Sequence, residues 1–113
     1  MPAMRQWDIY LYSFQQERPH PVVILSNDEI CANPDIRYVN GLLCTSVRAD
    51  RPIKRREALL DEANGLDWKT AVRCDFIYVL EKSLFRESRG RVVDARQLEL
   101  LRKMRFCFRW PLV

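Results

Sequence analysis

The sequence predicts an α+β domain, a small and partly closed antiparallel β-barrel followed by a C-terminal α-helix. Over the first 80 positions, five short and mainly apolar segments are separated by turn-forming residues. After Asp94 the apolar residues recur every three or four positions, which is the period of a helix. The chain has 113 residues and is 48% hydrophobic, so we expect residues 1–113 to form one domain.

The first two strands are predicted at residues 7–14 and 21–26, where aromatic and β-branched residues dominate. A polar break turns the chain between them. Asn27 and Asp28 follow, and their side-chain oxygens suit the cap of a helix. We therefore expect a short helical turn at residues 29–32.

The third strand is predicted over Tyr38–Ser46, where a mainly apolar run ends in two hydroxyl residues. The basic segment 47–56 reads as a loop around a proline, and Glu57–Leu60 as a short strand. Asn64 with the glycine after it marks a turn. The apolar run at residues 70–80 is the predicted fifth strand.

The C-terminal helix is predicted to begin at Asp94, with Gln97 three residues later as a variant of the capping box. Its period places one set of residues on the core side, namely Leu98, Leu101, Met104, Cys107 and Phe108. A charged set is expected to face outward, namely Arg96, Glu99, Arg102, Lys103 and Arg109.

Charge and cysteine content narrow the classes of function. Nineteen Lys and Arg against 15 Asp and Glu give a mild net charge of +4, but the positive charge is concentrated in the basic segment. The four cysteines form no C-x-x-C pair and His20 is the only histidine, so we expect free thiols and no metal or other cofactor. We find no signal peptide and no run long enough to span a membrane, which indicates the cytoplasm.

The chemistry-bearing feature is the sequence Val72-Arg73-Cys74-Asp75. On a strand, Arg73 and Asp75 point to one face, while Val72, Cys74 and Phe76 point to the buried one. RNA cleavage without a metal needs a base for the 2′-OH proton and a cation at the phosphate. Asp75 suits the first role and Arg73 the second. The alternative is an exposed ion pair of small structural effect.

Hydroxyl, basic and aromatic residues lie near this pair in the sequence. Thr45 and Ser46 precede the basic segment, whose positive charges suit a phosphate backbone, and stacking surfaces for bases are available at Trp68, Phe76 and Tyr78. The alternative for Thr45 and Ser46 is that their hydroxyl groups bond to the backbone of a turn. The alternative for the basic segment is a charged surface hairpin that faces only solvent.

His20 lies between two prolines, and imidazole suits proton transfer near neutral pH. An ordinary surface histidine is the alternative, and a thiol dyad of Cys74 with His20 is a weaker one.

In their order and spacing these segments resemble the MazF/PemK/Kid family of toxin endoribonucleases from toxin–antitoxin pairs. Four landmarks carry the resemblance: Asp8-Ile9-Tyr10-Leu11, then Pro21-Val22-Val23-Ile24-Leu25-Ser26-Asn27-Asp28 beside the family's RPVVVLSND, then Cys44-Thr45-Ser46, and Val72-Arg73-Cys74-Asp75 beside VRCD. The chain departs from the pattern in its short first loop, with His20 where the family has an arginine. It also has Phe76-Ile77-Tyr78 where the family has a second arginine.

The resemblance implies an SH3-like barrel that dimerises and cuts single-stranded RNA, chiefly mRNA, without a metal, leaving 2′,3′-cyclic phosphate and 5′-OH ends. It implies an antitoxin partner, and operator DNA bound through that antitoxin. By the resemblance Arg73 is also the catalytic acid. The candidate catalytic residues are Arg73, Asp75, His20 and Thr45. The candidate RNA-binding residues are Ser46, Arg48, Arg51, Lys54, Arg55, Arg18 and Lys69.

Two other functions remain open on the sequence. Gyrase poisons of the CcdB type share the implied fold and use an aromatic C-terminal end, to which residues 106–110 are faintly similar. The third possibility is a module of the same fold that binds an antitoxin or nucleic acid and cleaves nothing.

Overall fold

The structure is a computed structural model that describes residues 3–14, 18–47, 51–66 and 69–111. Within these residues the chain forms seven strands and two α-helices. In order they are β1 (Asp8–Tyr12), β2 (His20–Ile24), α1 (Asp28–Ala32), β3 (Tyr38–Ser46), β4 (Glu57–Leu60), β5 (Thr70–Arg73), β6 (Tyr78–Glu81), β7 (Phe85–Arg91) and α2 (Asp94–Phe108). Short 3-10 turns lie at Glu62–Asn64 and Lys82–Leu84.

The strands pair antiparallel in the order β4-β5-β3-β2-β1-β7, and β6 pairs with β3. The end strands β4 and β7 are not joined in the described part of the chain, so the barrel is open. Helix α2 packs on the sheet, and its Leu100 and Met104 enter a core with Leu42, Leu60 and Val72. The predicted α+β class is confirmed.

Several predicted elements are confirmed closely. The bounds of β3 and β4 are those expected. Helix α1 begins after Asn27, whose Oδ1 accepts a hydrogen bond from the backbone N–H of Ile30 at 2.9 Å. Strand β1 is shorter than predicted at both ends, and β2 begins one residue before and ends two residues before its predicted bounds.

The predicted single strand at residues 70–80 is wrong. Thr70 pairs with Ser46 and Tyr78 pairs with Gly41, so eight steps along this segment oppose five along β3. The three extra residues bulge out between β5 and β6. Phe76 lies in this bulge and is 50% exposed, against the prediction that it is buried.

Strand β7 was not predicted, because its sequence FRESRGR is mostly charged and lacks the usual pattern of a strand. It pairs with β1 at the edge of the sheet, with two register shifts. Gly90 has φ +151, and a Cβ there would come within 2.0 Å of the backbone oxygen of Asn64. Glycine is required at this close approach.

Helix α2 begins at Asp94 as predicted, but its cap and its buried face differ from the prediction. Val93 is the N-cap residue and makes no side-chain cap bond, while the Gln97 amide donates to the backbone oxygen of Val92. Leu98 and Leu101 are 50% and 48% exposed. Leu98 lies about 200° round the helix from Leu100, which packs in the core. Within the residues described, no helix is long and apolar enough to cross a membrane.

Candidate active site

Arg73 ends β5, and Asp75 lies two residues on, at the start of the bulge. Their side chains meet as predicted: Arg73 Nε donates to Asp75 Oδ1 at 3.2 Å, and Nη2 donates to Oδ2 at 3.1 Å. Arg56 adds a third donor, from Nη1 to Oδ2 at 3.4 Å. One carboxylate is therefore held by two guanidinium groups.

The two arginines keep this carboxylate ionised. Hydrogen bonds from Arg73 lower the pKa of Asp75, burial opposes this, and the charges of Arg73 and Arg56 lower it further. The same hydrogen bonds and the charge of Asp75 raise the pKa of Arg73. Both groups are charged at neutral pH, so Asp75 is a weak base until its donors are drawn away.

The pair lines a pocket of about 300 Å³, which we call the Arg73 pocket, together with Lys54, Arg56 and Glu57. Three cations face two carboxylates, so the lining is net positive. Its guanidinium groups have the fork geometry that matches phosphate oxygens. An anion such as a phosphodiester fits this charge balance.

Glu57 is a part of the site that sequence reasoning missed. It is 7% exposed and is the direct cross-strand partner of Arg73. Its carboxylate accepts from Arg51 Nη1 at 3.0 Å and Nη2 at 3.2 Å, and from the backbone N–H of Lys54 at 2.9 Å. Glu57 could have been predicted as a buried and paired carboxylate, because it begins an apolar strand directly after a basic segment.

The contacts with Arg51 and Lys54 favour the ionised form of Glu57. Burial raises the pKa of Glu57, but the hydrogen bonds of Arg51 and of the Lys54 backbone, with their positive charges, lower it overall. Arg51 is therefore tied to a structural partner rather than open on all sides to RNA.

A second pocket of about 550 Å³, which we call the His20 pocket, holds four of the predicted residues: Arg18, His20, Thr45 and Ser46. Thr70 of β5 and Arg89 of β7 also line it. Arg89 was missed because β7 was not predicted. Arg18 lies beside the short first loop and adds positive charge to this pocket.

The predicted site residues are thus divided between two neighbouring pockets, and among the described residues none lines both. Thr45 of the His20 pocket is opposite Ala71 in the β3–β5 ladder, and Arg73 lies two residues further along β5 on the same face, so the two pockets adjoin across these strands. A substrate of a few nucleotides is large enough to contact both.

The other candidates that the structure describes lie close in the chain to lining residues of these pockets. The Arg55 guanidinium lies over the Phe106 ring at 4.6 Å, and Lys69 is exposed beside β5. The rings of Phe76 and Tyr78 are 4.7 Å apart. Arg48 and Trp68 fall outside the described residues.

The position of Cys74 argues against a catalytic role for this thiol. Cys74 is fully buried in the core, as predicted, and burial raises its pKa to about 12. Such a thiol is a poor nucleophile, which argues against the dyad with His20. Across residues 3–14, 18–47, 51–66 and 69–111, no three His, Cys, Asp or Glu side chains are grouped to hold a metal ion.

Comparison with solved structures shows the same fold. An endoribonuclease in complex with its cognate antitoxin, from a mycobacterial species, matches with TM-score 0.78 and 17% identity over 100% of each chain. The MazF-mt6 toxin of Mycobacterium tuberculosis matches with TM-score 0.75 and 21% identity, over 93% of this chain and 99% of the toxin. A mycobacterial endoribonuclease matches with TM-score 0.77 and 19% identity, over 100% of this chain and 98% of its own.

Among curated proteins, none matches this chain significantly. A sequence profile of the PemK-like, MazF-like toxins does match, over residues 5–108. This range includes both pockets and nearly all of the fold, and it confirms the resemblance that the motifs indicated. The chain belongs to the family of PemK-like, MazF-like toxins of type II toxin–antitoxin systems.

Proposed function

We propose that this protein is a metal-independent endoribonuclease that cuts single-stranded RNA, chiefly mRNA, and leaves 2′,3′-cyclic phosphate and 5′-OH ends. The observation that carries the proposal is the Arg73–Asp75 pair, doubly hydrogen-bonded in an open and net-positive pocket. Family membership supports it, since the match covers both residues. So does the fold shared with structures described as endoribonucleases.

In the proposed reaction the 2′-oxygen attacks the adjacent phosphorus and the bond to O5′ breaks. Asp75 takes the 2′-OH proton, and Arg73 and Arg56 stabilise the charge on the phosphorane. The bound phosphate competes with Asp75 for the arginine N–H groups. Because these bonds lower the pKa of Asp75 in the free protein, losing them makes the carboxylate a stronger base.

The leaving O5′ needs a proton, and we assign its transfer to His20. With the scissile phosphate between the pockets, Arg73 and Asp75 approach from one side, and His20 and Thr45 approach from the other. Arg73 suits the donor role less, because its pKa is raised by Asp75.

We assign the flanking RNA backbone to the other basic and hydroxyl residues that the sequence predicts for RNA binding, which are Arg18, Ser46, Arg48, Arg51, Lys54, Arg55 and Lys69. The partner would be a cognate antitoxin that blocks the site and links the toxin to operator DNA. A homodimer in the cytoplasm completes the proposal.

The test of the activity is incubation of the purified protein with a long single-stranded RNA in EDTA. We expect discrete fragments that end in cyclic phosphate. Asp75→Asn keeps the shape of the side chain but removes the base, and should lower the rate by at least about 100-fold. Asp35→Asn, at an exposed carboxylate outside both pockets, is the matched control.

Other outcomes select the alternatives. Intact RNA together with blocked supercoiling by gyrase would indicate a gyrase poison. Intact RNA with normal supercoiling would indicate a binding module.

His20→Ala tests the second pocket separately. If His20 transfers a proton, kcat should fall at least about tenfold and the limb of the pH–rate profile due to the acid should disappear. A rise in KM alone would restrict His20 to binding.

A further inference from the structure

An exposed aromatic surface lies at the end of α2. Trp110 is 45% exposed, although its indole stacks on the Phe108 ring with centroids 4.9 Å apart and planes at 13°. Phe108 covers one face of the indole, so the exposed area of the ring is on its other face and its edges. Phe106 is also exposed, at 40%. A ring held in a fixed orientation with one open face is a surface on which a base can stack.

Arginines accompany these rings. The Arg55 guanidinium lies 4.6 Å over the Phe106 centroid, and that of Arg109 lies at 5.8 Å. Arg109 has φ +57, which ends the helix and brings the Trp110 N–H to the backbone oxygen of Arg105 at 3.2 Å. We call Arg55, Phe106, Phe108, Arg109 and Trp110 the helix-end platform.

The charge of the platform favours one kind of partner. Residues 102–110 contain four basic residues and no acidic one. A second copy of the same surface would bring like charges together, which is unfavourable. An acidic peptide matches the charge but makes no particular use of flat rings interleaved with guanidinium groups. Single-stranded RNA has both a negative backbone and planar bases.

The platform is continuous with the Arg73 pocket. Arg55 belongs to the platform, and the guanidinium group of the next residue, Arg56, donates to Asp75 Oδ2 in the Arg73 pocket at 3.4 Å. Burial raises the pKa of Cys107 on the last turn of α2, the charge of Asp75 raises it further, and Arg56 lowers it. The charged groups of Asp75 and Arg56 therefore lie close to the last turn of α2.

We propose that the helix-end platform extends the RNA site, with Arg55 at the junction and a base beside the cleavage point stacked on Trp110. The inference rests on the proposed function, because it assumes that the strand lies in the Arg73 pocket. The platform adds affinity for RNA long enough to reach it and takes no part in the bond-breaking step.

The test measures binding of 2′-O-methyl RNA, which cannot be cut because it lacks the attacking hydroxyl. Oligonucleotides of about four and about twelve residues differ in whether they reach the platform. Trp110→Leu should bind the long one about tenfold more weakly, equal to about 1.4 kcal/mol, and the short one normally. Trp110→Phe should restore most of the loss. Leu101→Ala is the matched control, since Leu101 is an equally exposed apolar residue on the same helix.

Arg55→Ala should lower the salt dependence of long-RNA binding by about 0.7 in the slope of log K against log salt, whereas Trp110→Leu should leave the slope unchanged. Normal long-RNA binding by Trp110→Leu would overturn the platform. An equal loss on both lengths would also overturn it, since the ring would then act through the fold. A shift of Trp110→Leu from dimer to monomer in sedimentation would overturn the platform. Weaker binding of an acidic peptide by this variant, with unchanged RNA binding, would also overturn it.

The two proposals fail separately. If the protein binds the long oligonucleotide through Trp110 but leaves ordinary RNA intact, the endoribonuclease proposal fails and the platform stands. If RNA is cut and Trp110→Leu binds the long oligonucleotide normally, the platform alone fails.

Discussion

Glu57 and Arg73 are direct partners across the β4–β5 ladder, yet each side chain bonds to a different group. Glu57 binds Arg51 and the backbone of Lys54, while Arg73 binds Asp75. The Glu57 N–H also donates to the Lys54 oxygen at 2.9 Å, so this residue closes the turn that ends the basic segment. The carboxylate thus holds the loop above the pocket and leaves Arg73 for Asp75.

Glu57→Gln should lower the free energy of unfolding by about 1–2 kcal/mol. The amide still accepts from the Lys54 N–H but no longer pairs with the charge of Arg51, which is partly exposed. Chemical denaturation measures the change. Glu87→Gln, at an exposed position on β7, is the control and should change stability by less than about 0.5 kcal/mol. Equal effects of the two variants would contradict a special role for Glu57.

The two carboxylates should make stability depend on pH in the acid range. The folded-state pKa values of Asp75 and Glu57 lie below the ordinary values of 3.8 and 4.5. The unfolded chain therefore binds protons first, so the stabilisation is complete above the ordinary values and is lost as pH falls through the folded ones. Below about pH 5, the double variant Asp75→Asn with Glu57→Gln should lose less stability than the wild type. If the wild type and the double variant lose the same stability as the pH falls, the two carboxylates are not the cause of the pH dependence.

Arg73→Lys should reduce RNA cleavage by about 100-fold while the protein stays folded. Lysine keeps the charge, but it cannot make the two parallel bonds to one carboxylate or phosphate. Single-turnover rates measure the loss, and Arg86→Lys at an exposed position of β7 is the control. Retention of activity in Arg73→Lys would show that charge alone is sufficient.

Gly90→Ala should destabilise the fold by at least about 2 kcal/mol, because the added Cβ meets the Asn64 backbone oxygen at a φ that favours glycine. Thermal unfolding measures the effect. Ser88→Ala on the same strand should be close to neutral, since Ser88 is exposed. A stable Gly90→Ala protein would mean that the turn at residues 64–65 moves without cost.

Much of the fold could be predicted because local patterns determine it. Apolar runs and turn residues predicted β3 and β4, the Asn27 cap predicted α1, and the helical period of apolar residues predicted α2. The spacing of Arg73 and Asp75 predicted that they meet, and short spacing of this kind needs no distant part of the chain. The order of four motifs predicted the family, which the sequence profile confirms.

Only the tertiary structure decided how those residues are arranged into pockets. The bulge between β5 and β6 arises from pairing with β3, and the burial of Glu57 beside Arg73 arises from the register of β4 on β5. The positions of His20 and Thr45 relative to Arg73 follow from the β2–β3 and β3–β5 pairings. Register is set by contacts between segments far apart in the sequence, and no local pattern contains that information.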